Sequence, residues 1–266
     1  VSYDPWELLD ELFQRLSEIK TSKKKRSRIK RLLNPGNEVK HPVDKIKSNV
    51  HELILRSKYN PVTYVWGPPG TGKTYMMAKI AKKYILQNKS VLIVSHSNVS
   101  VDGVIKKVVD MVADMQDYLK YGKILRVGYV RDDKLAKNPY ATSFNYTLSK
   151  CDSYARQLNQ LVAKRDELRM KNKKKSKEYN EVEHKIKEIR SEVRKEERKY
   201  VQRAQVIGTT ISKATVDPMF EERQFDLVMF DEVSMAYVPQ VIAAAALAKE
   251  KFMCVGDFRQ LAPISQ

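Results

Sequence analysis

Eight residues, Gly67-Pro68-Pro69-Gly70-Thr71-Gly72-Lys73-Thr74, constrain this chain more than any other stretch. They fit the pattern Gly, four residues of any kind, Gly, Lys, then Ser or Thr. The physics behind that spacing is narrow. Triphosphate oxygens need donors at close range, and successive backbone N–H groups in a glycine-permitted turn supply them. Lys73 adds a charge that reaches the β- and γ-phosphates, and Thr74 offers a hydroxyl to Mg²⁺. A helix beginning here aims its positive end at the same oxygens. The flanks agree. Val62-Thr63-Tyr64-Val65-Trp66 reads as a buried strand entering the loop, and residues 75–86 read as a helix leaving it.

The 266 residues suffice for one large or two small domains with a sizeable core. The longest apolar run, residues 241–248, is too short to span a bilayer, so a soluble chain without a membrane partner is expected. Acidic Asp4, Glu7, Asp10 and Glu11 argue against a secretory signal. Val1 in place of an initiator Met reads as the start of an excised piece. Cys151 and Cys254 form neither a disulfide framework nor a ligand pair, which indicates a reducing, cytoplasmic setting, or a nuclear one in a eukaryote. The four histidines are scattered, which argues against structural zinc.

Net charge is +18, and its placement matters more than its size. Residues 20–31 hold eight basic residues and no acid, and residues 151–203 hold 17 basic and 10 acidic ones. About +3 is left for everything else. A nearly balanced core with two basic appendages fits a polyanion held away from the phosphate loop. Solvated lysine-rich faces are the plainer reading of the same numbers.

In chain order, Trp6, Leu9, Phe13, Leu16 and Ile19 recur at the three-four spacing of an amphipathic helix. The basic run follows, either a nucleic-acid contact, a nuclear address or a solvated helical face, and Asn34-Pro35-Gly36 ends it in a turn. Residues 43–55 read as a second helix with Val43, Ile46, Val50, Leu53 and Ile54 inward. Beyond the phosphate loop, residues 90–95 form a strand, residues 95–102 open a helix, and residues 124–128 form a short strand. Strands alternating with helices indicate an α/β fold with a doubly wound parallel sheet.

The alternation then stops. Tyr154, Leu158, Leu161 and Leu168 fit heptad positions, with Arg165 interrupting. Tyr179, Val182, Ile186, Ile189, Val193 and Tyr200 repeat the pattern, with Glu196 in the remaining slot. Lys171, Lys173, Lys174, Lys175 and Lys177 lie between them. The spacing predicts an inserted antiparallel helical hairpin, a coiled-coil stalk with a basic tip. A continuous helix in a dimeric coiled coil is the other option. Each arm reaches roughly 25–35 Å at 1.5 Å per residue, which places the tip to meet a nucleic-acid backbone, a protein partner or solvent alone.

The sheet resumes at residues 205–210. Phe225-Asp226-Leu227-Val228-Met229-Phe230-Asp231-Glu232 is a buried strand ending in two carboxylates. Asp231 is positioned to hold Mg²⁺ through water, and Glu232 to polarise an attacking water. Residues 252–255 form a last strand, running into Gly256-Asp257-Phe258-Arg259-Gln260-Leu261-Ala262-Pro263.

Four segments in this order, GPPGTGKT, SHSNVSVD, FDEVSM and GDFRQLAP, resemble the first motor domain of superfamily 1 helicases of the up-frameshift and senataxin type. QVIGTT is similar to that family's short motif before the acidic strand. The likeness covers residues 60–266. It implies a RecA-like P-loop domain using ATP and Mg²⁺. At matching positions, Lys73 and Thr74 would bind phosphate and metal, Asp231 would position Mg²⁺, and Glu232 would act as base. Gln260 would sense the γ-phosphate. Ser97, Asn98, Thr209 and Thr210 would touch the backbone of single-stranded DNA or RNA. The implied division is a helical and basic segment at 1–59, the RecA-like domain at 60–150 and 204–266, and the inserted hairpin at 151–203. The resemblance also implies a second RecA-like domain, with arginine fingers, outside this chain.

Two departures stand out. Relatives carry an adenine-reading Gln upstream of the loop, where this chain has Ser48-Asn49-Val50-His51. The acidic motif continues Val233-Ser234-Met235, where relatives often have a small residue and then Gln. Two other classes share part of the pattern. A protein-remodelling AAA+ ATPase would need a sensor Asn after the acidic pair and a helical lid. A nucleic-acid-binding scaffold would keep ATP only as a switch.

Overall fold

A computed structural model describes residues 5–34, 36, 40–115, 117–171, 176–221 and 223–259. The described residues open with α1 (Pro5–Thr21) and α2 (Lys23–Leu33), joined at Ser22, whose hydroxyl caps α2 by accepting the Lys25 N–H. The basic run is therefore a helix, and Arg28, Ile29 and Leu32 make up its buried side. Trp6, Leu9 and Phe13 of the amphipathic stripe point outward, while Ile19 is buried and Leu16 partly so.

The helix expected at residues 43–55 divides in two. Val43–Lys45 is a single 3₁₀ turn, Ile46 is extended, and α3 (Asn49–Tyr59) starts afresh. The physical reason is Ser48, extended, with its hydroxyl capping the His51 N–H at 3.2 Å. A capping serine marks a helix start more strongly than upstream apolar spacing marks continuation.

The α/β core then follows: β1 (Val62–Trp66), α4 (Lys73–Leu86), β2 (Val91–Ser95), α5 (Asn98–Met111), α6 (Asp117–Lys120) and β3 (Ile124–Arg126). Three helices come next, α7 (Asp133–Lys137), α8 (Ser143–Lys150) and α9 (Asp152–Met170). After α10 (Lys177–Arg203) the sheet resumes with β4 (Val206–Thr210), α11 (Ile211–Val216), β5 (Phe225–Asp231), α12 (Val238–Ala245) and β6 (Ala248–Gly256).

The six strands pair in the order β1-β6-β5-β2-β4-β3, and every pairing is parallel. Both faces are covered, so the strands read as continuous apolar runs. Alternate residues serve opposite cores. Leu92, Val94, Ile207, Val228, Phe230 and Phe252 join the core under α1, α2, α11 and α12. Val91, Ile93, Val206, Leu227, Met229 and Met253 join the core under α3, α4 and α5. At Gly208 the sheet carries no side chain, because a Cβ there would lie 2.3 Å from Ile105 Cγ1 and 3.0 Å from Val101 Cγ1. The glycine lets α5 lie close on β4.

Helices α9 and α10 pack on each other through Leu158, Leu168, Val182 and Ile186, with Leu161, Tyr179 and Ile189 beside them. Lys164 pairs with Glu178 at 2.8 Å, and Arg165 approaches Glu183 at 3.8 Å, which explains an arginine within the apolar spacing. Phe144 and Leu148 of α8 enter the same cluster. The expected basic tip falls largely on residues 172–175, outside the described residues. Among the described residues no helix is long and apolar enough to cross a membrane.

Gly208→Val should force α5 off the sheet and cost about 1–3 kcal/mol, the usual penalty of overpacking a core. Urea unfolding of the two proteins measures this, and midpoints that coincide would contradict the close packing described.

Candidate nucleotide and nucleic-acid site

Parallel pairing puts all the strand carboxyl ends on one edge, where open α/β sheets bind ligands. Trp66 faces Gly256 in register, and Ser95 faces both Asp231 and Thr210. Lys73, Thr74, Ser97, Asn98, Thr210, Asp231 and Glu232 lie at this edge or one turn beyond it.

The phosphate loop leaves β1 at Gly67, whose N–H donates to the Gly256 carbonyl at 3.0 Å. Gly70 and Gly72 have φ of 80° and 81°, a left-handed conformation that favours glycine. Gly67 has no room for a Cβ, which would sit 2.8 Å from Thr71 Oγ1 and 3.1 Å from Lys73 Cγ. α4 begins at Lys73 with no side chain capping its first N–H groups. Those donors therefore stay free for an anion. The Lys73 ammonium donates to the carbonyls of Gly67 at 2.6 Å and Pro68 at 2.9 Å, which holds its charge over the loop. The Thr74 side chain is exposed beside it.

Asp231 ends β5 in a buried position. Burial pushes its carboxyl above the usual range, the Glu232 charge adds to this, and the Ser100 hydroxyl and Lys73 oppose it. Ser100 Oγ donates to Asp231 Oδ2 at 2.9 Å, and the Glu232 N–H to Oδ1 at 3.1 Å. Glu232 has φ 53°, uncommon for a residue with a side chain, and its Oε2 accepts from Ser95 Oγ at 3.5 Å. A divalent cation would relieve the two neighbouring carboxylates. No group of three or more His, Cys, Asp or Glu able to hold a metal exists among the described residues. Mg²⁺ commonly takes one or two protein oxygens with phosphate and water completing its shell, and the Thr74 hydroxyl and Asp231 carboxylate fit that need.

The Gly256-Asp257-Phe258-Arg259 segment folds back on the loop strand. Trp66 Nε1 donates to Asp257 Oδ1 at 3.0 Å, Arg259 stacks 4.6 Å from the Trp66 ring, and Phe258 meets Tyr64 edge-on at 6.3 Å. Gln260 lies outside the described residues.

The expected strand-contacting residues divide by role. Ser97 caps α5 by accepting the Ser100 N–H at 3.1 Å, and Thr210 caps α11 by accepting the Lys213 N–H at 3.3 Å. Asn98 Oδ1 accepts from Arg126 Nη2 at 2.7 Å. Asn98 and Thr210 line one cavity of about 580 Å³ together with Tyr129, Arg190, Arg194 and Lys213. Thr209 is fully buried, and its hydroxyl has no hydrogen-bond partner. It does not join the others at the surface.

Two features escaped the sequence reading. Ser100 ties α5 to the acidic strand, and its only signal is its place three residues after the capping Ser97. The other is an ion pair beneath Asn98. Arg126 Nε donates to Asp102 Oδ1 at 2.7 Å, with both side chains almost wholly buried. Asp102 Oδ2 also accepts the N–H groups of Arg131 at 2.6 Å and Asp132 at 3.1 Å. Burial lowers the Arg126 guanidinium from its usual value, and Asp102 works against that shift. The pair fixes Asn98 and the loop at residues 127–132 together.

Fold and site define a class, a P-loop nucleoside-triphosphatase domain, with its acidic pair two strands from the loop strand. The chain belongs to the AAA_11 family, described as an AAA domain, whose model matches residues 44–266. It is 27% identical over 252 residues to the DNA polymerase alpha-associated DNA helicase A of Saccharomyces cerevisiae, covering 88% of this chain and 34% of that protein. It is 29% identical over 216 residues to the DNA-binding protein SMUBP-2 of Mesocricetus auratus, covering 76% and 20%. The ATP-dependent helicase upf1 of Schizosaccharomyces pombe is 23% identical over 229 residues, covering 83% and 22%. The up-frameshift-type likeness is thus found by comparison as well as by motif. The chain spans about a third or less of the length of these relatives.

Asp102→Ala should leave the Arg126 charge buried and unpaired, at a cost of about 3–5 kcal/mol. Chemical denaturation measures it, and a loss below about 1 kcal/mol would mean that the guanidinium finds water instead.

Proposed function

We propose that this chain is the ATP-binding first lobe of a motor that moves along single-stranded nucleic acid. The observation that carries the reading is the convergence at one sheet edge of an uncapped glycine loop, an acidic pair whose Asp231 is buried, and the α5 amino end. Lys73 and the free N–H groups of α4 would neutralise and orient the triphosphate. Thr74 and Asp231 would hold Mg²⁺, which supplies charge neutralisation at the transferring phosphate. Glu232, adjacent to Asp231 and held by Ser95, would orient and deprotonate the attacking water. A strand would lie over Ser97, Asn98 and Thr210, with Arg190, Arg194 and Lys213 beside its phosphates. The Ser100–Asp231 bond links the two halves of this arrangement, since it joins the acidic strand to the helix whose amino end would meet the strand.

The same reading divides the chain into the segment at 1–59, the RecA-like unit at 60–150 and 204–266, and the inserted hairpin at 151–203. A second RecA-like domain would complete the groove and supply transition-state arginines. Gln260 would couple the nucleotide to it. The partner would be single-stranded DNA or RNA, in the cytoplasm or nucleus.

Lys73→Ala should weaken ATP binding measured by calorimetry, while equal affinity in both proteins would remove the loop from the nucleotide site. Glu232→Gln should retain ATP binding yet lower turnover by about 10²–10⁴, the usual contribution of a positioned base. Residues 1–266 without the second domain should turn over feebly, since arginine fingers contribute about 10³–10⁵ in rate. Brisk hydrolysis by this piece, indifferent to Glu232→Gln, would refute both assignments.

A further inference from the structure

A second basic site lies at the opposite edge of the sheet, where the strands begin. A cavity of about 780 Å³ opens there. Helix α2 lines it with Lys23, Lys24, Arg28 and Arg31. Lys58 from the end of α3, Lys89 before β2, and Lys249 and Lys251 of β6 complete the ring. Among the described residues lining it, only Asp226 and Glu250 are acidic. Asp226 is already engaged, accepting from Ser90 N–H at 2.8 Å and from Lys249 at 2.9 Å. Lys23, Lys24, Arg31, Lys58 and Lys89 have no carboxylate partner among the described residues.

Two features accompany this excess of positive charge. Arg28 is 6% exposed; its Nη2 donates to Gln224 Oε1 at 3.1 Å, but its buried Nη1 has no partner. Buried guanidinium nitrogens are seldom left so. Lys251 is lowered from its usual value, first by burial and then by crowding from Lys89, Lys40 and Arg31, against the pull of Glu250. A second cavity of about 660 Å³ shares Arg31, Glu250 and Lys251 with the first and adds Lys40. The two cavities therefore adjoin, and their combined basic lining runs from α2 to the start of β1, which suits an extended polyanion better than a compact one.

We propose that this rear site binds the sugar-phosphate backbone of a nucleic-acid strand, as a contact separate from the front edge. β5 has seven residues, so the two edges stand about 20 Å apart at roughly 3.3 Å per residue. A strand that crosses the front edge can therefore return along the rear. The contact is to phosphate, so it reads no sequence and depends strongly on salt. The proposal adds a second anchor to the motor reading and does not involve the nucleotide site.

The test uses an oligothymidylate of about 30 nucleotides, which at even 3.4 Å per phosphate is long enough to pass both edges. With a photoreactive azidophenacyl group on phosphorothioate positions of the backbone, cross-linking and peptide mass spectrometry should find adducts on residues 19–31 and 249–251. In parallel, Lys23, Lys24, Arg31 and Lys58 are all changed to Gln. Anisotropy titrations across a salt series should then show affinity down on the order of ten-fold and the log–log salt slope smaller by about 2 to 3. A companion protein with Lys23→Arg, Lys24→Arg, Lys58→Arg and Arg31→Lys keeps the charge and should bind as the parent does. Adducts confined to the front edge, with an unchanged slope in the Gln protein, would overturn the proposal. So would equal loss in the charge-keeping protein, which would trace the effect to folding. Inorganic tripolyphosphate or poly-glutamate binding there without any strand adduct would reassign the site to a compact anion or an acidic protein. Failure of the motor reading shows elsewhere, as nucleotide affinity indifferent to Lys73→Ala, and leaves the rear adducts to be judged alone.

Discussion

Parallel pairing of β5 with β2 and β6 is the constraint on which the front edge depends. It sets Asp231 beside Ser95, and the parallel pairing of β1 with β6 brings their carboxyl ends to the same edge. Each short connection must then deliver a helix amino end to the same edge. The Gly67 N–H to Gly256 carbonyl bond fastens the phosphate loop to β6, although β6 is the last strand in sequence. The Ser100–Asp231 bond fastens α5 to the acidic strand. A shift of one residue in β5 would turn Asp231 from one face to the other and break this set at once.

The arrangement carries local costs. Asp231 is buried next to a second carboxylate, and Glu232 sits at positive φ. Such features persist only where surrounding structure over-determines them. Here that structure is the sheet itself, with β5 central and apolar at Leu227, Val228, Met229 and Phe230. The same logic explains why a charged pair is tolerated beneath Asn98. Arg126 and Asp102 saturate one another and the surrounding loop N–H groups, so that the loop takes one shape rather than several.

The strands and the loop were legible because they obey local rules. Runs such as Val91-Leu92-Ile93-Val94 have few other destinations than a two-sided sheet. Glycines 70 and 72 are needed where the structure has positive φ. What was hidden depends on contacts distant in sequence. Arg126 reads as an ordinary strand residue until Asp102, 24 positions earlier, is placed against it. Thr209 resembles a surface residue within its motif, yet it shares strand parity with Ile207 and so faces the core. The break at Ser48 was readable from its cap, but the apolar spacing around it pointed the other way.

The placement of charge distinguishes the two edges more than its amount does. At the front, cations are largely committed inside the protein: Arg126 to Asp102, Lys213 and Arg194 to Asp217, and Lys73 to loop carbonyls. Contacts there must come from oriented helix ends and a few shaped side chains, which act at short range and respond to rearrangement around the nucleotide. At the rear, Lys23, Lys24 and Lys89 have no carboxylate partner among the described residues and accompany a buried arginine with an unused donor, and attraction there acts over the roughly 10 Å that screening allows. A motor needs one contact that changes with each nucleotide cycle and benefits from another that does not. On the proposed motor reading the two edges of this sheet have the physical character to divide those tasks, since the phosphate loop and the acidic pair lie at only one of them.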